Sequence, residues 1–144
     1  MIATTKLYTP ALLGLAVELA NYPLTDDFPL RAEVRSPVCG SVMAIGLDTG
    51  AGGQIIAAGA RVTACAVGQA AAAICLAGLS GCNAAAVEAA LGDITAWLNG
   101  SDQQPAWPGI GALAETRSYS ARHGAILLPW RAVQAALSNP EPRG

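Results

Sequence analysis

The sequence contains very little charge. Of its 144 residues only 12% are Asp, Glu, Lys or Arg, about half the share found in an average globular domain. There is one lysine and one histidine, and the net charge is −2. Because nucleic-acid binding needs clustered positive charge, we exclude nucleic acid as a partner.

A paired-cysteine motif is also missing. Cys39, Cys65, Cys75 and Cys82 are separated by 26, 10 and 7 residues, which excludes the spacing of zinc ribbons and of thioredoxin-like redox motifs. Export is not indicated either, because Pro10 and Glu18 interrupt the only stretch that imitates a signal peptide. The sequence therefore predicts a cytoplasmic protein whose cysteines are reduced thiols or metal ligands.

The longest stretch without charge runs from Val62 to Val87 and is 26 residues long. That length would suffice to cross a bilayer. The stretch is mostly alanine, however, with three glycines, and neither an aromatic belt nor a basic cluster flanks it. We interpret it as a tightly packed internal helix and expect no association with a membrane.

Apolar residues are abundant, at 53% of the chain, which is enough for one domain with a buried core. We expect this domain to span 1–144, with its core at about 8–137 and a frayed end at 139–144. The order of elements predicts an α+β, two-layer domain in which a three-stranded antiparallel sheet packs against helices. Periodicity and capping residues predict helices at 9–20, 66–79, 84–98 and 125–137, strands at 30–38, 42–47 and 54–63, and a loop-rich stretch at 101–119.

A glycine-rich segment at 48–53 has two interpretations. It has the composition of a phosphate-binding loop, but such a loop must open into a helix. Gln54, Ile55 and Ile56 instead continue as a strand. The segment is therefore predicted to be a hairpin turn.

Two of the cysteines stand where a functional site is expected. Cys39 lies at the break between the first two strands and is followed by Gly40, and Cys65 lies where the third strand gives way to a helix. At a helix N-terminus the free N–H groups favour a thiolate. His123, just ahead of the last helix, could reach the same end of the sheet, whereas Cys75 and Cys82 are predicted to be structural.

These pieces resemble the NifU N-terminal family, which includes the IscU and SufU iron–sulfur scaffolds. The matching stretches are 36–40, the hairpin after it and 59–70, followed by the small-residue helix and the final amphipathic helix. The resemblance covers about residues 8–137. It implies the SufE/NifU-like fold, and it implies a cysteine desulfurase or other sulfur donor and recipient apoproteins as partners. A homo-oligomer is left open.

The resemblance also implies a [2Fe–2S] cluster, or iron, with zinc as the alternative, held by three cysteines and an aspartate or histidine. Cys39 and Cys65 match the first two cysteine positions. In the IscU branch a histidine directly precedes the third cysteine. This pair matches either His123 and Gly124, or, if the last helix is aligned without gaps, Gly124 and Ala125 with His123 just before it. Two ligands differ. Ser41 replaces the aspartate, and the third cysteine is missing, so the chain is a divergent member.

Three functions follow as hypotheses. The first is a scaffold or carrier that binds iron or [2Fe–2S] transiently at Cys39, Cys65 and His123. The second is a paralogue that has lost assembly and acts as a zinc-binding, protein-interaction or regulatory module. The third, an enzyme with Cys65 as nucleophile and His123 as base, is disfavoured because no acidic residue is placed to orient the histidine. We therefore predict a protein that is not an enzyme.

Overall fold

The computed structural model of the protein describes residues 9–37 and 39–138. The segment predicted to fray, 139–144, lies outside the described residues. The α-helices are α1 (Pro10–Val17), α2 (Ala66–Ala77), α3 (Ala84–Leu98) and α4 (His123–Ser138), and the strands are β1 (Leu30–Arg35), β2 (Val42–Thr49) and β3 (Ile55–Thr63). Short 3₁₀ segments occupy Glu18–Asn21, Ile110–Ser118 and Ser120–Arg122.

The strands form one antiparallel sheet in the order β1-β2-β3. Side chains alternate between its two faces, because successive residues of a strand point in opposite directions. The inner face carries Met43, Ile45 and Leu47, all buried, and α4 packs across β1 and β2. This confirms the predicted α+β arrangement of a three-stranded antiparallel sheet and helices.

Helix α2 is the most buried helix of the fold. Of its residues from Val67 to Leu76, only Gln69 is not classed as buried, and the helix packs against α1, α4 and β3. A helix that is apolar around its whole circumference belongs inside a protein, as the sequence predicted for the uncharged run. Among the described residues, no helix is long and apolar enough to cross a membrane.

The glycine-rich segment forms the β2–β3 hairpin turn, as predicted. The Gly50 N–H donates to the Gln54 carbonyl at 2.8 Å, and the Gly53 N–H donates to the Gly50 carbonyl at 3.0 Å. Gly53 has φ +82°, a conformation that side chains disfavour. The chain leaves the turn as a strand, so no helix N-terminus faces the turn.

Two predicted boundaries differ from the structure near the site. The last helix begins at His123 rather than Ala125, and it passes through Pro129 without ending. β1 ends at Arg35 rather than at residue 38, because the residues that follow form a tight turn. In the loop-rich stretch, buried Trp107 donates from its indole nitrogen to the Ile74 carbonyl at 2.9 Å and so anchors the segment to α2.

Two glycines keep one part of the outer sheet face open to another segment. Gly46 and Gly59 are paired neighbours on β2 and β3, and the chain at 22–28 crosses over them. A Cβ at Gly46 would lie 2.7 Å from the Phe28 ring, and one at Gly59 would overlap the Pro23 carbonyl oxygen. Both positions therefore require glycine for steric reasons.

Alanine substitution can compare a glycine that is required for steric reasons with one that has open space around it. We expect Gly59→Ala to lower the free energy of unfolding by about 2 kcal/mol or more, because backbone must move to admit the methyl group. Gly92 lies inside α3 with no atom near its Cβ position, so Gly92→Ala should raise it by about 0.5–1 kcal/mol. Urea denaturation measures both; equal effects would contradict the packing described here.

Candidate functional site

A cavity of about 280 Å³ lies at one end of the sheet, and both candidate cysteines line it. Three segments meet there: the β1–β2 turn, the junction between β3 and α2, and the start of α4. Its lining consists of Cys39, Gly40, Ser41, Thr63, Ala64, Cys65, Ala121, Arg122 and Ala125. Two thiols that are 26 residues apart in the sequence therefore open into one space.

The turn from Ser36 to Ser41 positions the first thiol. The Ser36 N–H donates to the Ser41 carbonyl at 2.8 Å, and the Gly40 N–H donates to the Ser36 carbonyl at 3.0 Å. Gly40 adopts φ +74°, which lets the chain reverse directly after Cys39. The side chain of Cys39 is consequently exposed at the cavity mouth.

Two serine hydroxyls act on the Cys39 sulfur. The hydroxyls of Ser36 and then Ser41 lower the pKa of the Cys39 thiol, because hydrogen bonding stabilises the thiolate. The Ser41 Oγ lies 3.0 Å from the sulfur. Ser36 Oγ is close as well, but it makes no hydrogen bond of full geometry to any described group. Ser41 is thus the better-placed of the two donors.

Cys65 occupies the N-cap position of α2. Its backbone is extended (φ −67°, ψ 171°), and its side chain makes no capping hydrogen bond, so the sulfur is not engaged by the helix. The Gln69 side chain instead donates to the Ala64 carbonyl at 2.9 Å and braces the strand–helix junction. The second thiol therefore lies beside the positive end of a helix dipole.

His123 begins α4 but is not among the residues that line the cavity. Its Nε2 lies 2.8 Å from the Arg117 carbonyl oxygen. Arg117 in turn donates to the carbonyls of Trp97 and Ser101 at 2.8 and 2.7 Å. The histidine is therefore tied to the segment before α4, and its role as a ligand stays a prediction.

The charged residue that this segment contributes to the cavity lining is Arg122, next to Ala121. The sequence reasoning singled out its neighbour His123 and missed the arginine. The sequence offered one signal, because Arg122 stands directly before the single histidine and three residues before the helix predicted at 125–137.

The other two cysteines lie away from the cavity. Cys75 is fully buried, and burial raises the pKa of its thiol well above the usual value. Cys82 lies at the far end of α2, where its thiol donates to the Gly78 carbonyl at 3.4 Å. Their placement agrees with the prediction that both are structural. Within the described part of the chain, no three His, Cys, Asp or Glu side chains are grouped to hold a metal ion.

The thiols should differ in their response to pH. Alkylation by iodoacetamide follows the thiolate fraction, so its midpoint for Cys39 should lie below the ~8.5 of a free thiol and that for Cys82, whose pKa is raised by burial, above it. Ser41→Ala should move the Cys39 midpoint upward. Mass spectrometry of each cysteine over a pH series measures this; coincident midpoints for Cys39 and Cys82 would contradict it.

Comparisons with known proteins find similarity in structure only. No family model and no curated protein sequence matches the chain. A NifU-like N-terminal protein from Brucella abortus matches with a TM-score of 0.82 and 25% identity, over 94% of this chain and 95% of that one. A protein from Fervidobacterium islandicum, assigned as an iron–sulfur cluster assembly scaffold of the SUF system, matches with a TM-score of 0.80 and 17% identity, over 90% and 96% of the two chains.

Proposed function

By its structure the chain belongs to the NifU/IscU/SufU-like family, and on this premise we propose that it is an iron–sulfur cluster assembly scaffold or carrier. The observation that carries the proposal is the meeting of Cys39 and Cys65 in one cavity. They are the two cysteines that match the family's ligand positions. The cargo is iron or a [2Fe–2S] cluster.

The two thiols are the right type of ligand for this cargo, but they are fewer than a cluster requires. Thiolates are the usual ligands of iron–sulfur clusters, which take four of them, and the cavity supplies two. A cargo bound here therefore completes its ligand set from outside the cavity lining. Such incomplete ligation fits a scaffold, because a scaffold must release what it holds.

The residues around the thiols prepare them for binding. A cysteine binds metal as the thiolate, so it must first lose its proton. The lowered pKa of the Cys39 thiol eases that loss. Cys65 stands at the N-cap of α2 and its side chain makes no capping hydrogen bond, so its sulfur is available to a ligand. Cys39 is exposed, which lets a protein partner reach it.

Binding and transfer at this site need no catalytic group, so we assign no enzymatic activity. The partners that follow are a sulfur donor such as a cysteine desulfurase and the apoproteins that receive the cluster. His123 is proposed as an auxiliary ligand only. To bind through Nε2 it would first have to give up its contact with the Arg117 carbonyl.

Anaerobic reconstitution with iron and sulfide tests the proposal. The full chain should develop visible charge-transfer absorption, and Cys39→Ala or Cys65→Ala should lower the iron bound per chain by about tenfold or more, because each removes one of the two thiolates. Cys82→Ala is the matched control, since this thiol lies at the opposite end of α2, and it should load normally.

A colourless protein that binds no iron would overturn the proposal. Equal loading of all three cysteine variants would overturn the assignment of the site. The second hypothesis, a paralogue without assembly activity, would then account better for the chain.

The part played by His123 can be measured in the same assay. Because its ring is held by the Arg117 carbonyl, we expect His123→Ala to reduce iron loading by less than about threefold, well below the effect of either cysteine variant. A loss as large as that of Cys65→Ala would show that the histidine turns into the cavity and binds directly.

A further inference from the structure

The cavity is electropositive apart from its thiols. Arg122 is the one charged side chain among its lining residues, and in the described part of the chain no carboxylate joins it there. This contrasts with the chain as a whole, whose net charge is −2. A low-dielectric cleft lined by one sign of charge attracts the opposite sign.

A helix N-terminus adds to this charge. Cys65, in the lining, is the N-cap of the 12-residue helix α2, and the 16-residue helix α4 begins at His123, between the lining residues Arg122 and Ala125. The N-terminal end of a helix carries a partial positive charge and unpaired N–H donors. Helix α2 therefore presents its positive end to the cavity, whereas α4 continues the 3₁₀ segment Ser120–Arg122, and the His123 N–H is already bonded to the Ser120 carbonyl.

A buried hydroxyl without a partner lies at the same place. Ser36 is 2% exposed, and its Oγ has no hydrogen-bond partner among the described residues. The oxygen lies beside the Cys39 sulfur and only 2.9 Å from where a Cβ of Gly124 would stand, in the first turn of α4. An unpaired buried hydroxyl is costly, and negative charge beside it would satisfy it, either on the Cys39 sulfur or on an anion bound next to that sulfur.

The surface outside the mouth is basic as well. Thr63 both lines the cavity and ends β3, and Arg61 stands two residues before it on the same outer face. Arg35 on β1 and Thr63 on β3 both pair with Val42 on β2, so the three residues lie side by side across the sheet. Both arginines are exposed. The acidic side chain near them on this face is Glu33. Because the two arginines outnumber it, the surface around the cavity mouth also favours an anion.

We propose that this cavity selects anionic ligands, and that the ligands missing from the chain's own set come from a small anionic thiol whose carboxylate pairs with Arg122. The inference rests on the proposed scaffold function and names the substrate class of that site. A cluster ligated by four thiolates is itself an anion, because the thiolate charge outweighs that of the iron–sulfide core. The cationic lining suits that complete complex better than bare iron.

The size of the cavity favours a small thiol over a protein segment. Its volume of about 280 Å³ lies just below the ~300–1,000 Å³ of ordinary small-molecule sites. Binding involves no redox step: each exogenous thiol loses its proton to solvent, and its sulfur donates an electron pair to iron. The carboxylate forms a charge-assisted hydrogen bond with the Arg122 guanidinium.

The charge of the cavity can be measured without iron. Iodoacetate is anionic and iodoacetamide neutral, and the same thiolate attacks the CH₂ carbon of either reagent and displaces iodide. The ratio of the iodoacetate rate to the iodoacetamide rate at Cys39 and Cys65 therefore reports the local potential. We expect this ratio to exceed that of an unstructured cysteine peptide by about threefold or more at low salt and to approach the peptide value at ~0.5 M salt.

Variants locate the source of the effect. Arg122→Gln should lower the ratio by about threefold and Arg122→Glu further, while Arg131→Gln is the matched control. Arg131 is an exposed arginine of α4 outside this cavity, so its loss should leave the ratio unchanged. A ratio equal to that of the peptide, insensitive to salt and to Arg122, overturns the inference.

Reconstitution then separates the inference from the proposed function. With iron and sulfide, 3-mercaptopropionate should support about threefold or more cluster per chain than its neutral amide, and Arg122→Gln should abolish that preference. Equal loading with both thiols overturns the inference and leaves the scaffold function intact. No loading with either, together with the expected alkylation ratio, overturns the scaffold function and supports the anion site.

Discussion

The close contact between α2 and α4 is the constraint on which the site depends. A Cβ at Gly68 would lie 3.2 Å from the Cβ of Ala125 and 2.8 Å from that of Ala64, so no larger side chain fits between the helices. Because Cys65 directly precedes α2 and Arg122 directly precedes α4, this contact brings both residues to one cavity. The alanine- and glycine-rich composition of α2 therefore allows α4 to approach closely, in addition to filling the core.

The same small residues explain the lack of charge around the site. A helix buried on every side cannot carry ionised groups without a large desolvation cost, and α2 carries none. The charges that remain near the cavity belong to the sheet edge and to the start of α4. These charges are mostly arginines. The positive potential at the site therefore comes from residues at the edge of the sheet and at the start of α4, and not from the core.

The Ser41 side chain affects the chemistry of the Cys39 thiol more than its position. The turn that contains Cys39 is held by backbone hydrogen bonds at both ends, which do not depend on the side chain at position 41. A hydroxyl at 3.0 Å stabilises a thiolate by donating a hydrogen bond. The backbone of this turn therefore sets where the Cys39 sulfur lies, and the hydroxyl beside it sets how readily the thiol ionises.

Much of this arrangement could be predicted from local signals. The hairpin glycines, the turn after Cys39 and the strand–helix junction at Cys65 were each predicted from the residues that flank them. The last helix was harder to predict, because a proline such as Pro129 normally interrupts a helix. Here Pro129 is buried in the core and the helix continues through it. Ser36 gave no signal at all, since its burial beneath Gly124 depends on a contact between residues far apart in sequence.

The sequence alone determined which elements form, and it determined that Cys39 and Cys65 lie at the same end of the sheet. Only the tertiary structure decided that Arg122, and not His123, lines the cavity. Arg122 ends the 3₁₀ segment that runs directly into α4. Successive residues differ in direction by about 100° in an α-helix and about 120° in a 3₁₀ segment, so the rotation of this continuous stretch about its axis selects one of them. Packing of α4 against the sheet and against α2 sets that rotation, and no local pattern of residues records it.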